Sequence, residues 1–187
     1  MPPLEAEFMR FTAPDPAALG RGIAETQAKL AAALDAGEAL DVVDAVSDLG
    51  SMLTTARKEG EAAELLERHR PLAEVLDEHE PAGWFWNAYA TALQYCGRRD
   101  EAEPYFSKAV ELAKKGGWRR LEALALHHWG RSLAEQQRFA EAESRISEAL
   151  AIRIELNEPR QESSRNALVA LASLRNSLSR HHARGAA

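Results

Sequence analysis

Cysteine is nearly absent from this 187-residue chain, in which Cys96 is the only one. A single thiol cannot form an intramolecular disulfide, a thiolate zinc site or a Cys-x-x-Cys redox pair. The sequence also has no run of 18 apolar residues, and residues 1–5 do not begin a basic segment followed by an apolar core. We therefore expect a soluble, cytoplasmic protein that does not interact with membranes.

The patterns that accompany catalysis are missing as well. No His-x-x-x-His spacing occurs, and the adjacent His127 and His128 would diverge by about 100° on a helix, so they are poorly placed to share a metal ion. No glycine-rich phosphate loop, nucleophile elbow or distinct pair of carboxylates is found. We predict a protein that is not an enzyme and that needs neither a metal nor another cofactor.

Period-two runs of β-branched and aromatic residues are scarce, and aromatic residues make up only 6% of the chain. The most frequent residues, Ala, Glu, Leu and Arg, favour helices. A hydrophobic content of 45% and a charged content of 28% are typical of a globular protein. The composition predicts one all-α domain.

Charge is distributed unevenly along the chain. Residues 1–80 hold 17 acidic and 7 basic side chains (net −10), whereas residues 81–187 hold 12 and 16 (net +4). Solvated helix faces explain this drift, but so would an acidic partner on the second half or head-to-tail self-association. The basic residues lie at repeat ends in an acidic protein, so nucleic-acid binding is not expected.

A repeat of 40 residues is the main signal in the sequence. The pair Glu-Ala occurs at Glu61-Ala62, Glu101-Ala102 and Glu141-Ala142. A small residue lies twelve positions before the alanine of each pair. A large apolar residue comes directly before this small residue, and a leucine comes three positions after it. The small residues are Gly50, Ala90 and Gly130, the large ones are Leu49, Tyr89 and Trp129, and the leucines are Leu53, Leu93 and Leu133. Since two helices approach closely where a small side chain faces a large one, we interpret this as a helix-turn-helix unit written three times.

The second unit carries the clearest pattern, and its key residues are Trp86, Tyr89, Ala90, Leu93, Ala102, Phe106 and Ala109. This pattern resembles the tetratricopeptide repeat (TPR) family, and the spacing is similar to the 40-residue subclass of kinesin light chain-like and bacterial regulatory arrays. The resemblance implies an α-solenoid that binds other proteins.

The predicted organisation is a flexible arm at residues 1–14, a single domain at residues 15–182 and a flexible tail at residues 183–187. Within the domain, an N-terminal helix precedes three repeats, and a capping helix follows them. The repeats span approximately residues 38–79, 82–116 and 118–157, and the cap spans residues 160–181. Pro71 should kink or break the helix predicted at residues 61–78. Three apolar side chains of the arm, Phe8, Met9 and Phe11, could hold it against the domain.

The resemblance also implies that the first helix of each unit lines a concave groove. The groove residues predicted in this way are Trp84, Asn87, Thr91, Gln94, Tyr95, Leu124, His127, Arg131, Glu135 and Asn166. Amide side chains can pair with a peptide backbone, Arg131 can hold a carboxylate, and Trp84 or Tyr95 can anchor a side chain. His127 would make binding sensitive to pH near its ordinary pKa of about 6.5.

Simpler interpretations exist for several of these residues: Trp84 could pack on the first unit, Arg131 could pair with Glu135, and Asn87 could be ordinary surface. The leading functional hypothesis is a non-enzymatic adaptor or scaffold that binds a peptide or partner protein in the groove. The alternatives are a self-assembling structural homodimer and a regulatory sensor for a small ligand or signalling peptide.

Overall fold

The computed structural model describes the backbone of residues 7–185 and the side chains of residues 7–178. This part of the chain contains eight helices and no strand. The helices are α1 (Pro16–Ala36), α2 (Ala39–Thr55), α3 (Glu59–Glu74), α4 (Glu80–Tyr95), α5 (Arg99–Gly116), α6 (Arg119–Glu135), α7 (Phe139–Glu155) and α8 (Gln161–Gly185). The all-α prediction is confirmed.

Each helix packs against the next one along the chain, and α2, α4, α6 and α8 also contact one another in order. Three helix pairs, α2–α3, α4–α5 and α6–α7, thus stack side by side, with α1 before them and α8 after them. This arrangement is an α-solenoid, because each unit contacts only its neighbours. The series α2, α4, α6 and α8 forms one continuous face, which we call the groove.

The small residues of the repeat lie where the two helices of a unit cross. A Cβ atom added at Gly50 would lie 2.6 Å from Leu66 Cδ1, and one added at Gly130 would lie 2.5 Å from Ile146 Cγ1. Neither position has room for a side chain without movement of the facing residue. The small-against-large packing that the sequence predicts is therefore present in the first and third units.

The helices end in a regular way that the sequence did not reveal. A residue with positive φ follows a helix at Gly37, Arg57, Gly97, Gly117, Gln137 and Asn157. In each case its N–H group and the next N–H group bond to carbonyls of the last helical turn, as when Gly97 N–H donates to Gln94 O at 3.0 Å. Successive residues of this series are 20 positions apart, except that residue 77, which would fall between Arg57 and Gly97, does not have positive φ. One helix and its turn together therefore span 20 residues.

Two details differ from the predicted organisation. The helix α3 continues through Pro71 without interruption and ends at Glu74, four residues before the predicted end. The helix α8 continues to Gly185, so that residues 183–185 of the expected tail are helical. Residues 1–6 of the expected arm and residues 186–187 of the expected tail lie outside the described residues.

None of the described helices combines the length and the apolar composition that crossing a bilayer requires. Among the side chains of residues 7–178, no group of three His, Cys, Asp or Glu residues is placed to hold a metal ion.

Candidate functional site

The predicted groove residues are mostly buried. Six of them are shielded from solvent: Asn87, Gln94, Tyr95, His127, Arg131 and Glu135. Trp84, Thr91 and Leu124 are half-buried, and Asn166 is exposed. Polar side chains of this kind require partners when they are removed from water. The surroundings of the buried six therefore decide what the groove can do.

Residues 7–11, which we call the docked segment, lie across the C-terminal ends of α4 and α6. Phe8 is only 5% exposed and belongs to an apolar cluster with Leu133 of α6 and Leu171 of α8. Met9 and Phe11 are 43% and 58% exposed. Of the three side chains that could hold the arm, Phe8 is the one that is buried against the domain.

Groove side chains bind the main chain of the docked segment. The Phe8 N–H group donates to Glu135 Oε1 at 3.2 Å, and Arg131 Nε donates to the Phe8 carbonyl at 3.4 Å. The Phe11 N–H group donates to the Tyr95 hydroxyl at 3.0 Å. These contacts involve peptide groups, so they do not depend on the identity of the side chains in the segment.

Arg10 makes the most numerous contacts in the segment. Its Nε and Nη2 atoms donate to the two carboxylate oxygens of Glu135 at 2.9 and 3.1 Å. Its Nη1 atom donates to the Tyr95 carbonyl at 3.1 Å, and its Nη2 atom donates to the Gln94 carbonyl at 3.3 Å. The guanidinium also lies 4.6 Å from the centre of the Tyr95 ring. A planar, bidentate pair of this kind is among the strongest hydrogen-bonded contacts in proteins.

Glu135 is the acidic centre of the groove. Burial alone would raise its pKa, but hydrogen bonds from Arg10 and Arg99 outweigh burial and hold the pKa below the usual value for glutamate. Arg99 Nε donates to Glu135 Oε2 at 2.8 Å. The pair of Arg131 with Glu135 that the sequence allowed is therefore not formed, and Glu135 pairs with Arg10 and Arg99. Arg131 instead donates through Nη2 to the Tyr95 hydroxyl at 2.7 Å.

Two buried amide side chains in the groove have unsatisfied atoms. The Oδ1 atom of Asn87 and both polar atoms of the Gln94 side chain have no hydrogen-bond partner among the described residues. Asn87 is therefore not ordinary surface. A buried polar atom without a partner costs about 1–3 kcal/mol, which a ligand that supplies the missing partner can recover.

A pocket of about 130 Å³ lies beside these residues, between α2, α4 and α6. It is lined by Phe11, Ser51, Thr54, Thr55, Asn87, Thr91, Tyr95, His128 and Arg131. The docked segment supplies one wall of this pocket through Phe11. The pocket adjoins the docked segment and is lined by side chains from three units of the solenoid.

The two adjacent histidines are neutral parts of the packing. Burial, together with the positive charges of Arg153 and Arg131, lowers the pKa of His127 to about 3. Its Nδ1 atom lies 3.2 Å from the Ser164 hydroxyl oxygen, which accepts a hydrogen bond from Arg153 at 2.7 Å. Burial also lowers the pKa of His128 well below its ordinary value. The prediction that His127 titrates near 6.5 is wrong, because that value applies to a solvated imidazole.

The outer predicted residues do not join this site. Trp84 Nε1 donates to Glu80 Oε1 at 3.1 Å, one turn earlier on the same helix. Trp84, Leu124 and Asn166 are absent from the pocket lining. Gln94, Tyr95, Arg131 and Glu135 contact the docked segment by hydrogen bonds.

Sequence reasoning missed the residues that approach the groove from outside its helices. Arg99 lies at the start of α5, and Arg57 follows α2 and donates to Glu7 at 2.6 Å. Arg10 was not singled out because it belongs to a stretch expected to be flexible. The signal that could have revealed it is the apolar and basic run Phe8-Met9-Arg10-Phe11 between two proline-containing stretches.

No family model matches the sequence, and no curated protein sequence matches it. Solved structures do. A Podosopora anserina protein described as a kinesin light chain with nearly identical TPR-like repeats superposes with a TM-score of 0.63 at 16% identity, over 85% of this chain and 80% of that one. A single-site variant of that protein gives a TM-score of 0.65 at 16% identity, over 85% and 79% of the two chains. BtubC (BKLC) from P. vanneervenii gives 0.61 at 17% identity, over 89% and 87%.

These identities are low, so the likeness establishes the fold and not the function. The fold is a TPR-like helical repeat solenoid, and the predicted resemblance is confirmed at this level.

Proposed function

We propose that this chain is a non-enzymatic protein-interaction module, an adaptor or scaffold that binds a peptide segment of a partner protein in the groove. The observation that carries the proposal is the docked segment itself. Side chains of α4 and α6 hold its peptide groups and its arginine within hydrogen-bond distance. A surface that binds one irregular segment in this way has the chemistry to bind another.

The unsatisfied amides support the same function. Asn and Gln side chains each offer a donor and an acceptor, which match the N–H and C=O groups of a peptide backbone. The buried atoms of Asn87 and Gln94 lack such partners among the described residues. A partner peptide that runs deeper into the groove than the docked segment would supply them.

Selection of peptides from a random library on the 187-residue chain tests the proposal. The bait carries Phe8→Ala and Arg10→Ala, which remove the two buried side chains of the docked segment. Selected peptides should lose about tenfold in affinity when Asn87→Ala or Tyr95→Phe is added, since one hydrogen bond contributes about 1 kcal/mol or somewhat more. Ser107→Ala, on the outer helix α5, serves as the matched control.

Peptides that bind both groove variants as tightly as the bait would show that binding occurs elsewhere on the solenoid. A selection that yields no peptide at all would also reject the proposal.

A further inference from the structure

We infer that the groove recognises a particular peptide chemistry, an aromatic residue followed two positions later by an arginine, and that the docked segment competes with the partner for this site. The inference rests on the proposed function and specifies its ligand. Phe8 and Arg10 are the two residues of the segment whose side chains are removed from water. The chain thus carries its own version of the ligand.

The aromatic position is defined by the contact between α6 and α8. Phe8 belongs to a cluster with Leu133, Ala134, Ala167 and Leu171. Its carbonyl and N–H groups are bound at the same time by Arg131 and Glu135. A large, flat apolar side chain therefore fits a site that also fixes the backbone that carries it.

The second position is specific for arginine over lysine. Glu135 presents both carboxylate oxygens to the guanidinium, and the carbonyls of Gln94 and Tyr95 accept from its two terminal nitrogens. Those carbonyls belong to the last turn of α4, where helix carbonyls carry partial negative charge. The Gln94 carbonyl accepts from the Gly97 N–H group as well as from Arg10. The ammonium of lysine carries three donors on a single nitrogen, so it cannot supply all four of these acceptors.

The buried carboxylate of Glu135 also makes it unfavourable for the arginine site to be empty. The Glu135 side chain has 0% of its surface exposed, and the Arg10 side chain has 5%. If Arg10 left without a replacement, Glu135 would keep Arg99 as its one described cationic partner in a buried setting. A competing peptide that brings its own arginine avoids this cost, whereas a peptide without one does not.

The residue between the two anchors has a conformational preference. Met9 has φ of 48°, in the left-handed region, and its side chain is exposed. Glycine adopts this conformation without the steric cost that a Cβ atom brings. Glycine at the middle position should therefore improve a competing peptide.

The tether sets the strength of the competition. A segment joined to its binding site by a short linker acts at an effective concentration of about millimolar. A partner then binds with an affinity reduced by the fraction of molecules whose groove is open. Weakening the docked segment should raise the affinity for a free peptide without any change in the groove.

Fluorescence anisotropy with a labelled peptide of residues 5–14 (EAEFMRFTAP) tests both parts of the inference on the 187-residue chain. We expect the chain with Arg10→Ala to bind this peptide at least tenfold more tightly than the unsubstituted chain. Lysine in place of the peptide arginine, or alanine in place of its first phenylalanine, should each weaken binding at least tenfold. Glycine in place of the peptide methionine should strengthen it severalfold.

Substitutions in the groove identify the binding site. Glu135→Gln, added to Arg10→Ala, should weaken peptide binding at least tenfold, whereas Glu141→Gln, an exposed glutamate on α7, should leave it unchanged. Circular dichroism and thermal unfolding establish that each variant is folded. Tyr95→Phe removes the hydroxyl that accepts from Phe11, and it supplies a second groove variant if Glu135→Gln does not fold.

Several results would overturn the inference. Equal affinity for the unsubstituted and Arg10→Ala chains would mean that the docked segment does not compete, and equal affinity for the arginine and lysine peptides would remove the arginine preference. A dimer of the unsubstituted chain in light scattering that Arg10→Ala dissociates would assign the segment to a second copy. If this peptide fails while library peptides bind the groove, the inference falls and the proposed function stands; if no peptide binds the groove, both fall.

Discussion

Single residues set how closely the helices approach. At Gly130, an added Cβ atom would lie 2.5 Å from Ile146 Cγ1 and 3.1 Å from the backbone oxygen of Ala142. A side chain can adjust to an intruding methyl group, but the backbone of a packed helix moves only at a cost. The position therefore requires glycine for reasons of space and not of flexibility.

Gly130→Ala should lower the free energy of unfolding by about 1–3 kcal/mol, the usual cost of overfilling a packed core. Urea titration followed by circular dichroism measures the change. Gly60→Ala is the matched control, since a Cβ atom there meets nothing within 4 Å, and alanine should stabilise helix α3 by up to about 1 kcal/mol. A Gly130→Ala variant as stable as the unsubstituted chain would mean that Ile146 can move aside and that α6 and α7 are not tightly packed at this crossing.

Another prediction at the residue scale concerns His127 and pH. Its pKa in the folded chain is about 3, well below the value of about 6.5 expected when it is unfolded. Between these values the unfolded chain binds one more proton at His127 than the folded chain does, so this residue makes the free energy of unfolding fall as pH falls below 6.5. His127 is expected to contribute about 1 kcal/mol per pH unit to the slope.

Urea unfolding between pH 6.5 and pH 4 measures this slope, and His127→Gln should reduce it. A slope that is the same in His127→Gln and in the unsubstituted chain would contradict the neutral, buried state of this imidazole.

At the scale of helices, the turn residues carry a conformational requirement that their identities only partly meet. Gly37, Gly97 and Gly117 adopt positive φ readily, but Gln137 adopts φ of 61° with a side chain attached. A left-handed residue other than glycine costs about 1–2 kcal/mol. Glycine in place of Gln137 would remove this steric cost. Because glycine loses more conformational entropy on folding, the net gain in stability is only part of that cost.

Gln137→Gly should raise the free energy of unfolding by about 0.5–1 kcal/mol, as measured by urea titration. The reverse change in the preceding unit, Gly97→Ala, should lower it by about 1 kcal/mol, although nothing lies within 4 Å of the added atom. If the free energy of unfolding changes in opposite directions at these equivalent positions, the effect arises from the conformation of the turn. Equal signs would contradict that explanation.

The sequence predicted the helices well because their signals are periodic and local. Gly50, Ala90 and Gly130 mark the crossings at 40-residue intervals, and the Glu-Ala pairs mark the second helices. The continuation of α3 past Pro71 was not predictable, since packing of the residues around a proline decides whether a helix tolerates it. The left-handed turns at Arg57 and Gln137 were missed because neither residue type signals positive φ.

At the scale of the whole molecule, the docked segment joins parts of the chain that are far apart in sequence. Phe8 binds Glu135 over a separation of 127 residues, and Arg10 reaches α4 and α6 together. A solenoid otherwise makes contacts only between neighbouring units. The segment thus adds a long-range constraint to a structure stabilised mainly by short-range ones.

Phe8→Ala should lower the free energy of unfolding by about 2–3 kcal/mol, less than the 3–5 kcal/mol usual for a core phenylalanine. The loss is limited because the segment can detach while the solenoid remains folded, so the cost cannot exceed the free energy of docking. Urea titration measures it, with the exposed Met9→Ala as the control expected to stay within about 0.5 kcal/mol. A loss no larger than that of the control would show that Phe8 does not contribute to holding the segment.

The groove was predicted in outline but not in its occupied form. Tyr95, Arg131 and Glu135 were identified because the repeat places them on the inner helices, and the structure brings them together. Their partners, Arg10 and Arg99, could not be identified in the same way. Arg10 lies outside the repeat pattern, and its contact with Glu135 depends on chain topology that no local pattern encodes.

The spacing of the turns has a consequence for genes. An in-frame duplication or loss of the forty codons between positions 97 and 137 would add or remove two whole helices and leave the spacing of the remaining turns unchanged. Each remaining helix would then pack against a helix that holds the equivalent position in the repeat. Insertions of other lengths would change the spacing between the turns, so the added residues would have to form a loop outside the helical stack. Proteins of this architecture can therefore be lengthened or shortened in whole modules, and the reach of the inner surface would change by one module at a time.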